Sequence, residues 1–402
     1  MKLRRDHLRK DPNRRGWLAP IVALALVVVM SAVALVIDRL WLDMATEEAQ
    51  GVAESAAVAA ARELASDDAL RLPEPAPDGR IAAAKLAAEN VASMNHVAGQ
   101  VYVLDPDSGD MTFGVKVAVE DTGEVKFIET VHEPRSVRMV AQRLHARGNP
   151  VALFVRGLTH VAAGEVRSQA EASIDNHVVG FQSVGGARVP MLPLAILAKD
   201  PLGQRQDTWQ IQIENRLGED KYRFDPSNGK VVAGSDGIPE IVLNPAPPGA
   251  DPVTANMAFF DIHGQAGRFP LEEQIRLGWS PQDLERRDGR FLMVRGPELF
   301  PARVTLTKPT ADALKSIVGE CRAVLLYENF QQGNANAYGT IQSSGLVAGR
   351  VMAVQESDGM NYRLVFQPGV LATHSAVLPS DLGMAGVTAH ASKYVYQLKL
   401  TQ

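Results

Sequence analysis

The chain of 402 residues holds a single cysteine, Cys321. An exported chain with one cysteine has no internal disulfide, so its stability rests on its own cores. Flanked by apolar residues, Cys321 reads as a small buried hydrophobe. Catalytic signatures are missing too. There is no H-E-x-x-H, no paired C-x-x-C, no phosphate loop, no G-x-S-x-G elbow and no G-x-G-x-x-G. The nine histidines stand singly along the sequence. These absences lead us to expect no catalytic, cofactor or metal site. The nearest approach to a metal loop is Asp105, Asp107 and Asp110 around Gly109. A calcium loop of the EF-hand type needs a glutamate at its twelfth position, where this chain has Lys116. A wide surface turn, "QQGNANAYG" (331–339), reads as a turn before it reads as a ligand loop.

Charge is also scarce in one place. From Trp17 to Ile37 the sequence "WLAPIVALALVVVMSAVALVI" carries none, and roughly 20 apolar residues match the length of a helix crossing a bilayer. Pro20 falls in its first turn, where a missing N–H costs little. Before the run stand seven basic residues against Asp6 and Asp11; after it come Asp38, Arg39, Asp43, Glu47, Glu48 and Glu54. The distribution of basic residues therefore places residues 1–16 in the cytoplasm, the span at 17–40 in the cytoplasmic (inner) membrane, and the bulk of the chain outside, in the periplasm. Trp17, Pro20, Ile37 and Trp41 mark this anchor, which makes the lipid bilayer its first partner. The alternatives are a signal peptide cut at Ala32-Val33-Ala34, or a prepilin leader cut after Gly16. Pilins have Glu five residues after such a cut, where this chain has Ile21. The basic tail carries +5 of a formal net charge of −5, so the rest is more acidic than the whole. That argues against nucleic acid as a partner.

Past the span, "WLDMATEEAQGVAESAAVAAARELA" is rich in helix formers. Ala45, Ala49, Val52, Ala53, Ala56, Ala60 and Leu64 recur at a spacing of three and four, forming a narrow stripe for close approach of another helix. The partner helix is either the chain's own second one, "RIAAAKLAAENVASMNHV", or another protein's. "LPEPAPDG" (72–79) separates the two segments as a stiff turn, which predicts a helical hairpin over 41–98.

From residue 99 the texture becomes that of strands, with a β-rich region over 99–198 and a second over 199–402. Two D-P-x-x-G stretches, Asp105–Gly109 and Asp225–Gly229, predict hairpin turns, with Asp121-Thr122-Gly123 and Asp358-Gly359 as further ones. "GNPVALFVRGL" (148–158) reads as a short apolar helix. "TWQIQIEN" alternates like a strand, with Trp209, Ile211 and Ile213 on one face. "VPMLPLAIL" (189–197), with two prolines, reads as an edge or boundary, and "LNPAPPGADP" (243–252) as a linker. One helical region is expected near 270–287, interrupted at Gly278 and restarted by Ser280-Pro281. The fold class is α+β: one N-terminal transmembrane helix, an Ala-rich helical hairpin, then a β-rich extracytoplasmic region with few helices.

Together, "RRGWLAPIVALALVVVMSAVALVIDRLWLDMATEEAQGVAESAAVAAARELA" resembles the TadE/TadG-like proteins of Flp (tight adherence) pilus assembly. Asp38 and Ala61-Arg62-Glu63-Leu64 fit that pattern, while Gly51-Val52-Ala53-Glu54 replaces a more usual Ala-Ala-Asp. "AENVASMNHVAG" and "RGNPVALFVRGLTHVAAGEVRSQAEASI" look like the pseudopilin-like part of the family. "LEEQIRLGWSPQDLERRDGRF", "ADALKSIVGECRAVLLYENFQQGNANAYG" and "VFQPGVL" look like its long TadG-like forms. The chain lacks the Asp-x-Ser-x-Ser site of the von Willebrand factor A domain that some of these carry. The resemblance implies a non-enzymatic, membrane-anchored component of pilus assembly or envelope anchoring, partnered by other Tad/Flp proteins. The alternative is a membrane-tethered exported enzyme or ligand-binding protein whose site is assembled from scattered residues. The sequence leaves self-association open.

Overall fold

The computed structural model describes residues 18–71, 77–118, 125–156, 161–247, 250–263, 271–293, 296–333, 338–357, 361–384 and 390–401. Trp17, the basic tail, most of "LPEPAPDG" and the turns at 121–123 and 358–359 lie outside them. The fold is α+β: a long N-terminal apolar helix precedes a β-rich region with few helices. Helix α1 (Leu18–Leu64) is uninterrupted for 47 residues, as a run of Ala, Leu, Val and Glu without internal proline past its first turn allows. A 3₁₀ turn at Asp67–Leu70 follows, then helix α2 (Pro77–Ser93). Contacts divide the chain into two compact units. One comprises Met1–Ala56, Ala88–Thr112 and Met139–Ala170, the other Ala57–Ala87, Phe113–Arg138 and Glu171–Gln402.

In the first unit, α1 as far as Ala56 accompanies short strands. His96–Val97 pairs with Gln100–Val101 across Ala98 and Gly99, both at positive φ. That pairing corrects the first expected D-P-x-x-G hairpin: Asp105–Gly109 is instead a 3₁₀ turn closed by Gly109 at φ 86°. Its purpose is to deliver Asp110, fully buried, to Gln142 Nε2 (2.8 Å) and Arg147 Nη1 (2.6 Å). Those bonds occupy the carboxylate that a calcium reading would require. The expected helix at 148–158 is corrected in its first part, because Val151–Ala152 is a strand paired with Ala163–Gly164, and helical backbone is reached only at Arg156. Gly148 and Pro150 disfavour a helix at the start of this run; residues 157 and 158 lie outside the described ones.

The second unit is built on strands that close on themselves. Strand β1 (Met191–Leu197) runs antiparallel to β3 (Met257–Phe260), and β3 to β4 (Leu299–Arg303). Strand β4 pairs with the start of β6 (Tyr338–Ser357), β6 with β5 (Cys321–Gln332), and β5 returns parallel to β1. The far half of β6 also carries β7 (Asn361–Pro368), which carries β2 (Ile241–Leu243). Alternation sorts the side chains. Met191, Ala195 and Leu197 join Ala258, Phe260, Ala323 and Leu325 in one core, while Leu192, Leu194 and Ile196 join Met257, Phe259 and Val324 in another. Helices α3 (Leu271–Leu277) and α5 (Lys308–Lys315) supply Leu271, Ile275, Ala311 and Leu314 to the second core.

A strand buried on both faces reads as a continuous apolar run, which corrects the edge reading of "VPMLPLAIL". Pro193 is tolerated because the β1–β5 register shifts between Met191 and Ala195. "TWQIQIEN" is corrected as well: Gln210–Glu214 forms a π-helical turn that buries Trp209 and Ile213, four residues apart. In the 243–252 stretch, Ala246 and Pro252 are buried. Two expectations match. Asp225–Gly229 turns the hairpin Tyr222–Asp225/Lys230–Ala233. Gly278 (φ 75°) ends α3, and Ser280 caps helix α4 (Pro281–Leu284) in a reciprocal box with Asp283.

Candidate functional site

The first half of α1 offers its apolar surface outward. Leu24 is 67% exposed, Val28 61% and Leu35 58%. The helix is long and apolar enough to cross a membrane, with Pro20 in its first turn and Ile37 at the end of its uncharged run.

One residue later the environment inverts. Asp38 is 5% exposed, and its Oδ1 accepts the amides of Phe154 (2.9 Å) and Val155 (3.4 Å). Its Oδ2 is buried with no hydrogen-bond partner among the described residues. Trp41 donates Nε1–H to the Ala152 carbonyl at 3.2 Å and meets the Phe154 ring edge-on at 4.9 Å. Leu42 lies against Gly164, where any Cβ would come within 2.7 Å of it. The Ser168 hydroxyl donates to the Thr46 carbonyl (3.0 Å), and the Ala98 amide to Glu48 Oε2 (2.7 Å). Positions 38, 41, 42, 45 and 48–49 share one helix face, and this face is tied to the first unit bond by bond.

The small-residue stripe continues that face. Ala45, Ala49, Ala56 and Ala60 are fully buried, Ala53 is 1% exposed, and Val52 and Leu64 are buried. Ala57 and Ala61 are also fully buried, so the stripe is wider than the sequence spacing predicts. In α2 the buried positions are Ala84, Ala88 and Ala92, again at i, i+4 and i+8.

No family model, curated protein or solved structure matches the chain.

Other chemistry lies in the second unit. Glu240, 2% exposed, accepts the amides of Tyr222 (2.6 Å) and Lys221 (3.3 Å) beside a pocket of about 560 Å³. Burial pushes its carboxyl up to about 7; the two amides pull it down, and the carboxylates of Asp220 and Asp236 push it further up. A cleft of about 860 Å³ is lined by Leu70, Arg216, Met293, Leu346, Lys393 and Tyr394. His263 lies 3.1 Å from Asp261 and 3.5 Å from Asp283. Asp283 is already engaged by Ser280 and Gln274, so this trio serves the α3–α4 corner. Among the described residues, no group of three or more His, Cys, Asp or Glu is placed to hold a metal. Cys321 is free and partly buried against the strand core, and its Sγ contacts the Val370 carbonyl at 3.6 Å.

Reading the sequence did not reveal Phe154, Arg143 or Glu240 as site residues. Phe154 had a signal: one aromatic two residues before an arginine in an otherwise aliphatic run. Glu240 had none, since its partners come from a hairpin and a bridge remote in sequence.

Proposed function

We propose that the chain is a non-enzymatic, single-pass envelope protein that takes part in assembling or anchoring a Flp/Tad-type pilus, in the manner of a TadG-like protein without a von Willebrand factor A domain. One observation carries this reading. A single helix changes character at Asp38, from an exposed, uncharged, bilayer-length run to a face buried through small residues. Such a helix transmits position from a membrane to a folded body, which is a structural task. The resemblance of residues 14–64 to the TadE/TadG-like pattern supplies the context. The N-terminus then lies in the cytoplasm and the body outside it. Fractionation, with mass spectrometry of the mature N-terminus, tests the anchor: an uncleaved chain that resists alkaline washing is expected. A chain starting near Leu35 or Trp17 that washes off would refute it. Deletion of the gene should abolish pili while leaving other exported proteins in place.

A second reading, a tethered enzyme or ligand-binding protein, is favoured by Glu240, a buried carboxyl with a raised pKa beside a pocket. Under it, Glu240→Gln would abolish function in cells; under the first, Glu240→Gln cells keep their pili.

A further inference from the structure

The collar around Asp38 has properties that anchoring by one helix does not require. Asp38 holds the amides of Phe154 and Val155, so the segment Val151–Arg156 is fixed one residue beyond the uncharged run. At 1.5 Å per residue, Trp41 stands about 6 Å past Ile37, within the interfacial layer that borders the hydrocarbon core. At this height the molecule leaves large apolar side chains exposed: Phe154 at 65%, Leu40 at 62% and Met44 at 46%. Trp41 and Phe154 form an aromatic pair of the kind that membrane interfaces favour.

Under Phe154 lies a pocket of about 410 Å³ lined by Trp41, Gln100, Arg143, Asn149 and Arg156. Arg143 is 7% exposed. Its guanidinium donates to the carbonyls of Val97 (2.6 Å) and Asn149 (2.8 Å) and to Gln100 Oε1. Three of its five N–H donors are thereby used, all on neutral acceptors. Among the described residues, no carboxylate lies within ion-pair distance of Arg143 or of the exposed Arg156. Arg138, Arg147, Arg287 and Arg350, by contrast, each have a carboxylate partner. A buried cation without a counter-ion is costly, and an anion entering this pocket would offset the cost.

We infer that Val151–Arg156 is a second membrane contact, with Phe154 seated in the lipid of the leaflet facing the exported body and the Arg143–Arg156 pocket holding the phosphate of an anionic phospholipid. This inference rests on the reading of α1 as a membrane span. Its occupant follows from continuity: the exposed apolar surface of α1 runs on through Leu40 and Met44 to the height of Phe154, beside the exposed Arg39–Asp43 ion pair, whose charges lie at the level of the headgroups. With two contacts instead of one, the first unit would keep a set height and rotation above the bilayer.

The test uses the full chain in a Cys321→Ser background, reconstituted in phosphatidylcholine vesicles with or without phosphatidylglycerol. Single-cysteine variants Met30→Cys, Phe154→Cys and Leu202→Cys carry an environment-sensitive fluorophore. Leu202, 78% exposed in the second unit, reports water. Labels at 30 and 154 should be quenched severalfold more by spin-labelled lipid than by iodide, with 154 shallower than 30; the label at 202 should show the reverse. If 154 behaves like 202 while 30 remains in lipid, the second contact is refuted and the span survives. If 30 is also open to iodide, the membrane reading itself fails. Native mass spectrometry of the unlabelled chain covers the pocket. Phosphatidylglycerol adducts should be retained and should fall severalfold in Arg156→Ala, while added inorganic phosphate leaves them in place. Equal adducts in both chains, or none in either, would overturn the phosphate assignment.

Discussion

Ala53 and Gly51 stand two residues apart on α1, and substitutions at the two sites should move stability in opposite directions. Ala53 is 1% exposed within the chain alone. Ala53→Leu adds three carbons where no space exists, and overpacking of this kind costs about 1–3 kcal/mol. Gly51 lies on the exposed face, and a Cβ built there meets nothing within 4 Å. Gly51→Ala should therefore add about 0.5–1 kcal/mol by removing backbone freedom from the unfolded chain. In a body of this size about 1 kcal/mol corresponds to roughly 2–4 °C. Thermal unfolding of the full chain in nanodiscs, followed by far-UV circular dichroism, should show Ala53→Leu melting several degrees below the parent and Gly51→Ala slightly above it. A parent-like melt for Ala53→Leu would refute the view that the chain covers its own stripe. If the same variant instead lost proteins that co-purify with the parent in a membrane pull-down, the stripe would be a docking surface for another helix.

Three further outcomes are expected. Gly278→Ala should cost more than about 3 kcal/mol and show as a large drop in melting temperature: φ is 75° and the new Cβ would lie 2.2 Å from the Val189 carbonyl, combining a left-handed backbone penalty with a clash. The carboxyl of Glu240 is raised to about 7 in the folded chain, so between the ordinary glutamate range and pH 7 the folded state binds the extra proton. Stability from this group is then full below about pH 4.5 and lost as pH rises through 7, by about 1–2 kcal/mol after discounting for water in the adjoining pocket; Glu240→Gln should flatten that slope in melts run across the range. Asp38→Ala should destabilise the first unit by about 1–3 kcal/mol, since the Phe154 amide loses its acceptor, whereas Asp38→Asn keeps an acceptor and should melt close to the parent; equal losses for both would put the effect on charge instead.

Some of this molecule is legible from the residues. The helix restart at Ser280-Pro281 is written in local chemistry, as a hydroxyl acceptor followed by a ring with fixed φ. The Asp225–Gly229 turn and the Ala stripe are likewise set by spacing of a few residues. What escaped depends on remote partners. Met191–Leu197 looks like an edge until β3 and β5 cover both its sides. Residues 209–213 alternate like a strand, yet Trp209 and Ile213 satisfy one helical face equally well, and tertiary packing chose that face. Asp105–Gly109 has the same form as Asp225–Gly229, but only the second is flanked by segments that pair with each other. The collar could not be seen from α1 alone, because the amides that Asp38 holds lie beyond residue 150.

The closure of β1 onto β5 bears on how the protein is made. Met191 pairs with Ala323, and the circuit is completed only through β6 at Tyr338–Ser357. On the proposed reading of α1 as a membrane span, a chain emerging from its N-terminus anchors early and completes its body late. In the interval the β1–β3–β4 sheet presents unpaired outer edges on β1 and β4 together with its apolar faces, the state most prone to pair with a neighbour. A body that passes through a translocation channel would spend this interval at the membrane surface, already tethered and locally concentrated with other copies. Its yield should then depend on holding chaperones outside the membrane, and truncations that end before β6 should be cleared or aggregate instead of accumulating as partly folded protein.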